Sequence, residues 1–339
     1  MPSFVFIRIL FRPGLLLALG LLLRLSPIIH VSERAHLPAR TICFDSNRTG
    51  NFEIYTMRND GTNQVRLTSD RTHDSFWPKL SPDRTKILFV RTPAGVHDTD
   101  YKKVTTWIMN ADGTGLTRIL SLGAHGWTLQ GHPEWKPDGS QIAIIGGASA
   151  NSQIYIINPN GSNPVRVTNN GHGGPRGGMN LDPSWSPSGE HLLFIGCPYS
   201  ICLPTFYEIY RIQADGTMET RLTNDHTPDY DPYYSPDARE EPGAGVIAWL
   251  RNTGSNRWAI FRMNTNGTGQ TSVIDDGGIN SKPGWALDSS TIYFHRIPPH
   301  APPGTLFNLW KVSPSGNGLT EVILPRPVYV NEFPINGIH

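Results

Sequence analysis

The stretch Asn51–Thr68, NFEIYTMRNDGTNQVRLT, sets two short apolar runs on either side of an Asp-Gly pair. Asp-Gly between such runs predicts a β-hairpin, with EIYTM and QVRLT as strands and NDGT as the reversal. A lone hairpin is only marginally stable in water, so this one must belong to a larger sheet. The same pattern returns downstream as TWIMNADGT, QIYIINPNGS, EIYRIQADGT, AIFRMNTNGT and NLWKVSPSGN. The turn glycines are Gly61, Gly113, Gly161, Gly216, Gly267 and Gly316, and an aromatic residue precedes each at the same distance: Tyr55, Trp107, Tyr155, Tyr210, Phe261 and Trp310. A period of roughly fifty residues marks a repeat architecture.

A second signature alternates with the first: WPKLSPDRTKILFV, HPEWKPDGSQIAII, DPSWSPSGEHLLFI, DPYYSPDAREEPGAGVIAWL and KPGWALDSSTIYFH. Each reads as strand, turn, strand. One repeat therefore holds four antiparallel strands, a to d, which is the sequence mark of a propeller blade. The first strand, TICF at Thr41–Phe44, is a b-strand with no a-strand before it, whereas NEFPINGIH at the C-terminus has a-strand spacing and nothing after it. The expected fold is all-β: a six-bladed β-propeller of four-stranded antiparallel blades over 41–339. It is closed by pairing the N-terminal strands with a C-terminal inner strand, which removes an open edge.

Composition agrees. The 339 residues carry 34 Gly and 29 Pro, as many short strands and turns require, and long helices are not expected. Lys plus Arg number 29 against 28 Asp plus Glu, a net charge of +1 that argues against a dedicated nucleic-acid binder, which normally shows a basic stripe. Residues 1–40 differ from the rest: Arg8 and Arg12 precede an apolar core from Leu15 to Leu23. This is the form of a signal peptide, with an N-terminal membrane leader over residues 1–29 as the competing reading; the core falls short of the roughly 20 apolar residues of a span. An exported chain, periplasmic or extracellular, would permit a local disulfide between Cys197 and Cys202, while Cys43 reads as a small buried hydrophobe.

The combination GNFEIYTMRNDGTNQVRLT, WPKLSPD and ILFV resembles the repeats of TolB-like β-propellers. The resemblance covers the chain from about Thr41 to its end. It implies protein or peptide partners of the cell envelope. TolB itself is periplasmic and carries an additional N-terminal α/β domain; residues 1–40 leave no room for one, so the propeller is expected without it.

Strand direction sorts the loops by face. The a–b and c–d turns share one end, where Gly supplies positive φ and Asp bonds its own backbone, so that end reads as frame. The b–c loops and d–a crossovers share the other end. They are long and irregular, and eight histidines map there: His73, His97, His125, His132, His172, His226, His295 and His300. Binding groups generally sit on such loops. The positions before the a-strand prolines read Trp77, His132, Asp182, Asp231, Lys282 and Phe333 around the channel mouth. Glu332 lies one residue earlier in its repeat, and Gln130, Asn180, Asp229, Asn280 and Asn331 lie two earlier. The candidate ligand-binding set is His132, Asp182, Asp229, Asp231, Lys282, Glu332, Asn180 and Asn280, suited to a peptide terminus, a polar ligand or a hydrated cation.

No G-x-S-x-G elbow occurs, and the 171–178 run GHGGPRGG lacks the Lys-Ser/Thr and helix of a P-loop. The main expectation is an exported, monomeric, non-enzymatic binding propeller with no cofactor. A looser resemblance to propeller lyases of uronate polysaccharides implies the alternative of a metal-dependent carbohydrate-active enzyme. It would use a divalent metal in or near the central channel, with His125, Gln130, His132 and His172 as candidate ligands.

Overall fold

The computed structural model describes residues 37–38, 41–97, 99–148, 151–169, 179–197, 207–238, 245–254, 257–302, 305, 307–322 and 333–334. Apart from Leu37 and Pro38, the leader expected over 1–40 lies outside these residues, as do His172 with the 171–178 run, Cys202 and so its pairing with Cys197, and Glu332. Within them the regular structure is β throughout, save two single-turn 3-10 segments.

The strands follow the repeat. β1 (Thr41–Ser46), β2 (Glu53–Arg58) and β3 (Val65–Arg66) form one sheet. β4 (His73–Leu80) to β7 (Thr117–Leu120) form the next, with β5 at Lys86–Pro93 and β6 at Thr105–Asn110. A third holds β8 (Leu129–Trp135), β9 (Ile142–Ala148), β10 (Asn151–Ile157) and β11 (Val165–Arg166). The fourth holds β12 (Asn180–Trp185), β13 (His191–Gly196), β14 (Glu208–Gln213) and β15 (Thr220–Arg221). The fifth is eight-stranded. It holds β16 (Asp229–Tyr234), β17 (Val246–Gly254), β18 (Arg257–Asn264) and β19 (Thr271–Ile274), then β20 (Ile279–Trp285), β21 (Ile292–Ile297), β22 (Asn308–Val312) and β23 (Thr320–Glu321). One parallel bridge, Trp258 with Ile279, joins its halves. Hydrogen bonding thus delineates four four-stranded sheets and one eight-stranded sheet in a propeller arrangement, rather than the six separate blades expected.

The C-terminal β24 (Phe333–Pro334) pairs antiparallel with β1, through Phe44 with Pro334 and Asp45 with Phe333. It gives the first sheet its fourth strand. The core lies between neighbouring sheets. Ile145, Ile154 and Val167 of the third sheet pack on Trp185, Phe194 and Tyr210 of the fourth. Ile42, Phe44 and Met57 of the first pack on Tyr293 and Leu309 of the fifth. Each such fully buried side chain contributes about 1.5–3 kcal/mol.

Two repeated motifs set the frame. In the c–d turns an Asp or Asn side chain accepts from the residue two further on: Asp60 Oδ1 takes the Thr62 amide at 2.9 Å and its hydroxyl at 2.6 Å, and Asp215 does the same with Thr217. The glycine is required twice over at Gly161. Its φ is +83°, and a Cβ there would lie 2.2 Å from the Ile119 carbonyl of the preceding sheet. The second motif ties strand c to strand d. Buried Glu53 accepts from Arg66 Nη2 at 2.7 Å, from the Asp70 amide at 2.8 Å and from the Thr68 hydroxyl, while Thr68 Oγ1 accepts the Ile54 amide at 2.8 Å. Glu208, Arg221 and Thr223 repeat the arrangement, which accounts for the recurring Arg-x-Thr.

Candidate functional site

At the channel mouth five of the pre-proline residues adopt a left-handed backbone: φ is +53° at Trp77, +48° at His132, +51° at Asp182, +47° at Asp231 and +49° at Lys282. Strand pairing slips at each of these positions, between Phe76 and Lys79 in β4 and at the equivalents in β8, β12, β16 and β20. Proline disfavours the right-handed helical region for its predecessor, and the left-handed one costs a non-glycine residue about 1–2 kcal/mol. Five such bulges on one ring concentrate strain where binding sites tend to store it.

The ring closes around charge. His132 Nδ1 lies 2.6 Å from Asp182 Oδ1, and His132 Nε2 lies 2.9 Å from the Tyr101 hydroxyl. The network is satisfied by Nδ1–H donating to the carboxylate and the phenol donating to Nε2. Lys282 Nζ sits 3.2 Å from Asp231 Oδ1 and 5.9 Å from the centre of the Trp77 ring, which lies 3.9 Å from the His132 ring. Burial pushes the Asp182 carboxyl up, but His132 and Lys282 outweigh it and hold the group below its ordinary range. Burial, reinforced by Asp182, holds Asp231 above that range despite Lys282. Two carboxylates in one ring are thus pushed apart. The cavity lined by Asp182, His132 and Lys282, with Trp77, Lys79 and Tyr233, measures about 20 Å³, room for roughly one water.

The residues two positions earlier do something else. Gln130 accepts from the Thr106 hydroxyl at 2.8 Å and donates to the Ser121 carbonyl at 2.9 Å. Asn180 donates to Gln153 Oε1 at 3.0 Å, and Asn280 to the Trp258 carbonyl at 2.6 Å. Asp229 accepts from Trp249 Nε1 at 2.7 Å and from Arg251 at 2.8 and 3.0 Å; burial raises its pKa to about 6 against those donors. Gln130 and Asn180 therefore stitch one sheet to the one before it, Asn280 joins the two halves of the eight-stranded sheet, and Asp229 bonds within its own sheet through Trp249 and Arg251 and back to Thr223 of the sheet before. Strict alternation would put them on the same face as the ring, but the bulge breaks that alternation.

The proposed metal set is held by separate partners. His125 Nε2 donates to the Gly161 carbonyl at 2.8 Å, Gln130 is bonded as above, and His132 is bound to Asp182 and Tyr101. Of the histidines assigned to the long loops, His73 and His132 instead lie in β4 and β8, and His295 lies in β21 at 1% exposure, where burial holds its pKa well below the ordinary value. Among the described residues one carboxylate trio, Glu208, Asp225 and Asp229, brings ligand oxygens within 4.8 Å of one another, and Arg221 and Arg251 pair with it.

Beneath the mouth lies a second layer. Lys79 Nζ is 2.6 Å from Glu134 Oε2, with both side chains at most 12% exposed, and 5.2 Å from the Tyr233 ring centre. Glu134 and Tyr233 line both the small mouth cavity and a cavity of about 420 Å³ below it. The lower cavity is walled by Trp135, Trp185, Trp285, Tyr233, Tyr234 and the turn prolines, so it opens on the a–b turn end that the sequence had assigned to frame. Its size is that of a small-molecule site. The three tryptophans also rivet neighbouring repeats: their indole N–H groups donate to the carbonyls of Lys79, Glu134 and Tyr233 at 3.2, 3.3 and 3.2 Å. The available signal was the aromatic recurring two residues after the a-strand proline, in HPEW, DPSW and KPGW.

No family model matches the chain. A TolB homolog of Chlorobium luteolum is 31% identical over 159 residues, which are 47% of this chain and 32% of the relative. The match therefore spans about a third of that protein's length. In three dimensions the chain is similar to TolB from Acinetobacter baumannii, with a TM-score of 0.64 and 18% identity over 86% of this chain and 66% of the other. It is similar too to an oligogalacturonate lyase in complex with manganese, with a TM-score of 0.51 and 16% identity over 86% of this chain and 88% of the other. Identities this low speak to the fold alone. With the repeat in the sequence and the propeller arrangement in the structure, this chain is a TolB-like β-propeller.

Proposed function

We propose that the chain is an exported, monomeric, non-enzymatic propeller over 41–339 that binds a protein or peptide partner at the mouth on the long-loop face. The eight-stranded sheet counts as two blades in this reading, because a single bridge joins its halves, and the total is six. The observation that carries the proposal is the ring of five strained positions presenting Trp77, His132, Asp182, Asp231 and Lys282. Strain repeated in five inner strands persists where the surroundings over-determine it, as they do at binding sites. The narrow cavity means that a partner docks over the ring with complementary charge rather than threading through it. The TolB relatives support the kind of partner. Alanine at His132, Asp182 and Asp231 together abolishes capture of an envelope partner by the immobilised protein. Unchanged capture by the folded triple variant refutes the reading.

The alternative, a metal-dependent carbohydrate-active enzyme with His125, Gln130, His132 and His172 as ligands, takes support from the likeness to the manganese-bound lyase. The separate partners of His125, Gln130 and His132 weigh against it. Metal analysis of the purified protein, with assays of polysaccharide cleavage in added manganese, zinc or calcium, decides it. Stoichiometric metal together with cleavage displaces the binding reading.

A further inference from the structure

The cavity on the a–b turn end offers area rather than hydrogen bonds. Its three indole N–H groups are committed to backbone carbonyls, and the Ser184 hydroxyl donates to the Pro232 carbonyl at 2.6 Å. What remains, apart from Arg84 and the Lys79-paired Glu134, is aromatic and proline surface with Leu287, which suits an apolar ring. A second cavity of about 290 Å³ adjoins it, sharing Pro187 and Tyr234, and is walled by Arg211, Thr265, Ser186 and Ser188. Two of its polar atoms are buried with no hydrogen-bond partner, Arg211 Nε and Thr265 Oγ1. Thr265 is only 2% exposed, and Arg211 makes a long bond of 3.4 Å from Nη1 to the Thr265 carbonyl. Among the described residues no carboxylate pairs with Arg211. A buried guanidinium N–H beside a buried hydroxyl asks for an acceptor, and an anion satisfies both.

We propose that the turn end of the propeller is a second binding site, which takes an anionic ligand with an apolar ring. The ring lies among Trp135, Trp185 and Trp285, and the acid group reaches Arg211 and Thr265 through the shared wall at Tyr234. This site lies at the other end of the channel from the mouth, beyond the Lys79–Glu134 layer, and stands whether or not the mouth binds a partner.

The test uses a matched pair of probes, 2-naphthoate and its neutral analogue 2-naphthalenemethanol, titrated calorimetrically into the full chain. Wild type binds the carboxylate about tenfold or more tightly than the alcohol, the worth of one charge-assisted hydrogen bond. Arg211→Leu removes that preference while leaving the affinity for the alcohol unchanged. The isosteric Thr265→Val lowers the preference by a few-fold. Tyr234→Ala weakens both probes together, and alanine at His132 and Asp182 affects neither. Absence of carboxylate binding to wild type, or equal affinity for the two probes, overturns the proposal. So does a preference that survives Arg211→Leu, which would point to Arg84 Nη1, the other buried unpartnered guanidinium nitrogen on the aromatic wall.

Discussion

The Lys79–Glu134 pair is the most exacting test of how the two halves of the channel are kept apart. Both groups are almost out of water, 2.6 Å from each other. Burial pulls the Lys79 pKa down and pushes that of Glu134 up, and in each case the partner offsets only part of the effect. Glu134→Leu leaves an ammonium buried beside Lys282, a like charge already acting on it. Lys79→Met leaves a buried carboxylate. Breaking a buried pair from one side costs about 3–5 kcal/mol, whereas replacing both members with apolar groups is near neutral or stabilising. Each single variant is therefore expected to lose about 3–5 kcal/mol, and the double Lys79→Met/Glu134→Leu to lie within roughly 1–2 kcal/mol of wild type. At about 2–4 °C per kcal/mol for a domain somewhat smaller than this one, each single loss is a drop in Tm of roughly 6–20 °C. Equilibrium urea unfolding of all four proteins closes the cycle. Losses that simply add in the double, with a coupling below about 0.5 kcal/mol, would refute the reasoning.

Other expectations follow from single positions. Asp229 is held at about 6 against an ordinary 3.8, so the folded chain binds its proton more tightly than the unfolded one. Its contribution favours the fold at low pH and is lost as pH rises from about 4 through 6; Asp229→Asn should flatten unfolding free energy against pH by roughly 3 kcal/mol across that window, and an unaltered slope contradicts the assignment. Gly161→Ala puts a Cβ 2.2 Å from the Ile119 carbonyl, whereas Gly123→Ala, also at positive φ, meets nothing within 4 Å. Chemical denaturation should show the first losing more than about 3 kcal/mol and the second about 1, and equal losses would remove the close-approach explanation. Asp182→Gly and Asp182→Ala both delete the ion pair, but only alanine keeps the strain; glycine should be the more stable by about 1 kcal/mol, which thermal unfolding of the pair can contradict.

The periodicity of the chain was enough to determine its strands, its turns and the pairing of its two ends. Each rests on local chemistry that recurs: Asp-Gly-Thr closes a turn by its own hydrogen bonds, and Glu with Arg-x-Thr ties strand c to strand d whatever the context. NFEIYTMRNDGTNQVRLT carries both motifs, which is why one hairpin sufficed to read the frame. Tertiary structure alone decided which way side chains face. A left-handed residue before the proline in five inner strands breaks the two-residue alternation, so Asp182 and Asp231 meet His132 and Lys282 at the mouth. The same break turns Asn180, Asp229 and Asn280 into seams. Only the closing of the ring brings Trp135, Trp185 and Trp285, spread over some 150 residues, around one cavity on the end that seemed plain from its turns. Repetition reveals what each unit does for itself; what the units build between them depends on geometry that no single repeat contains.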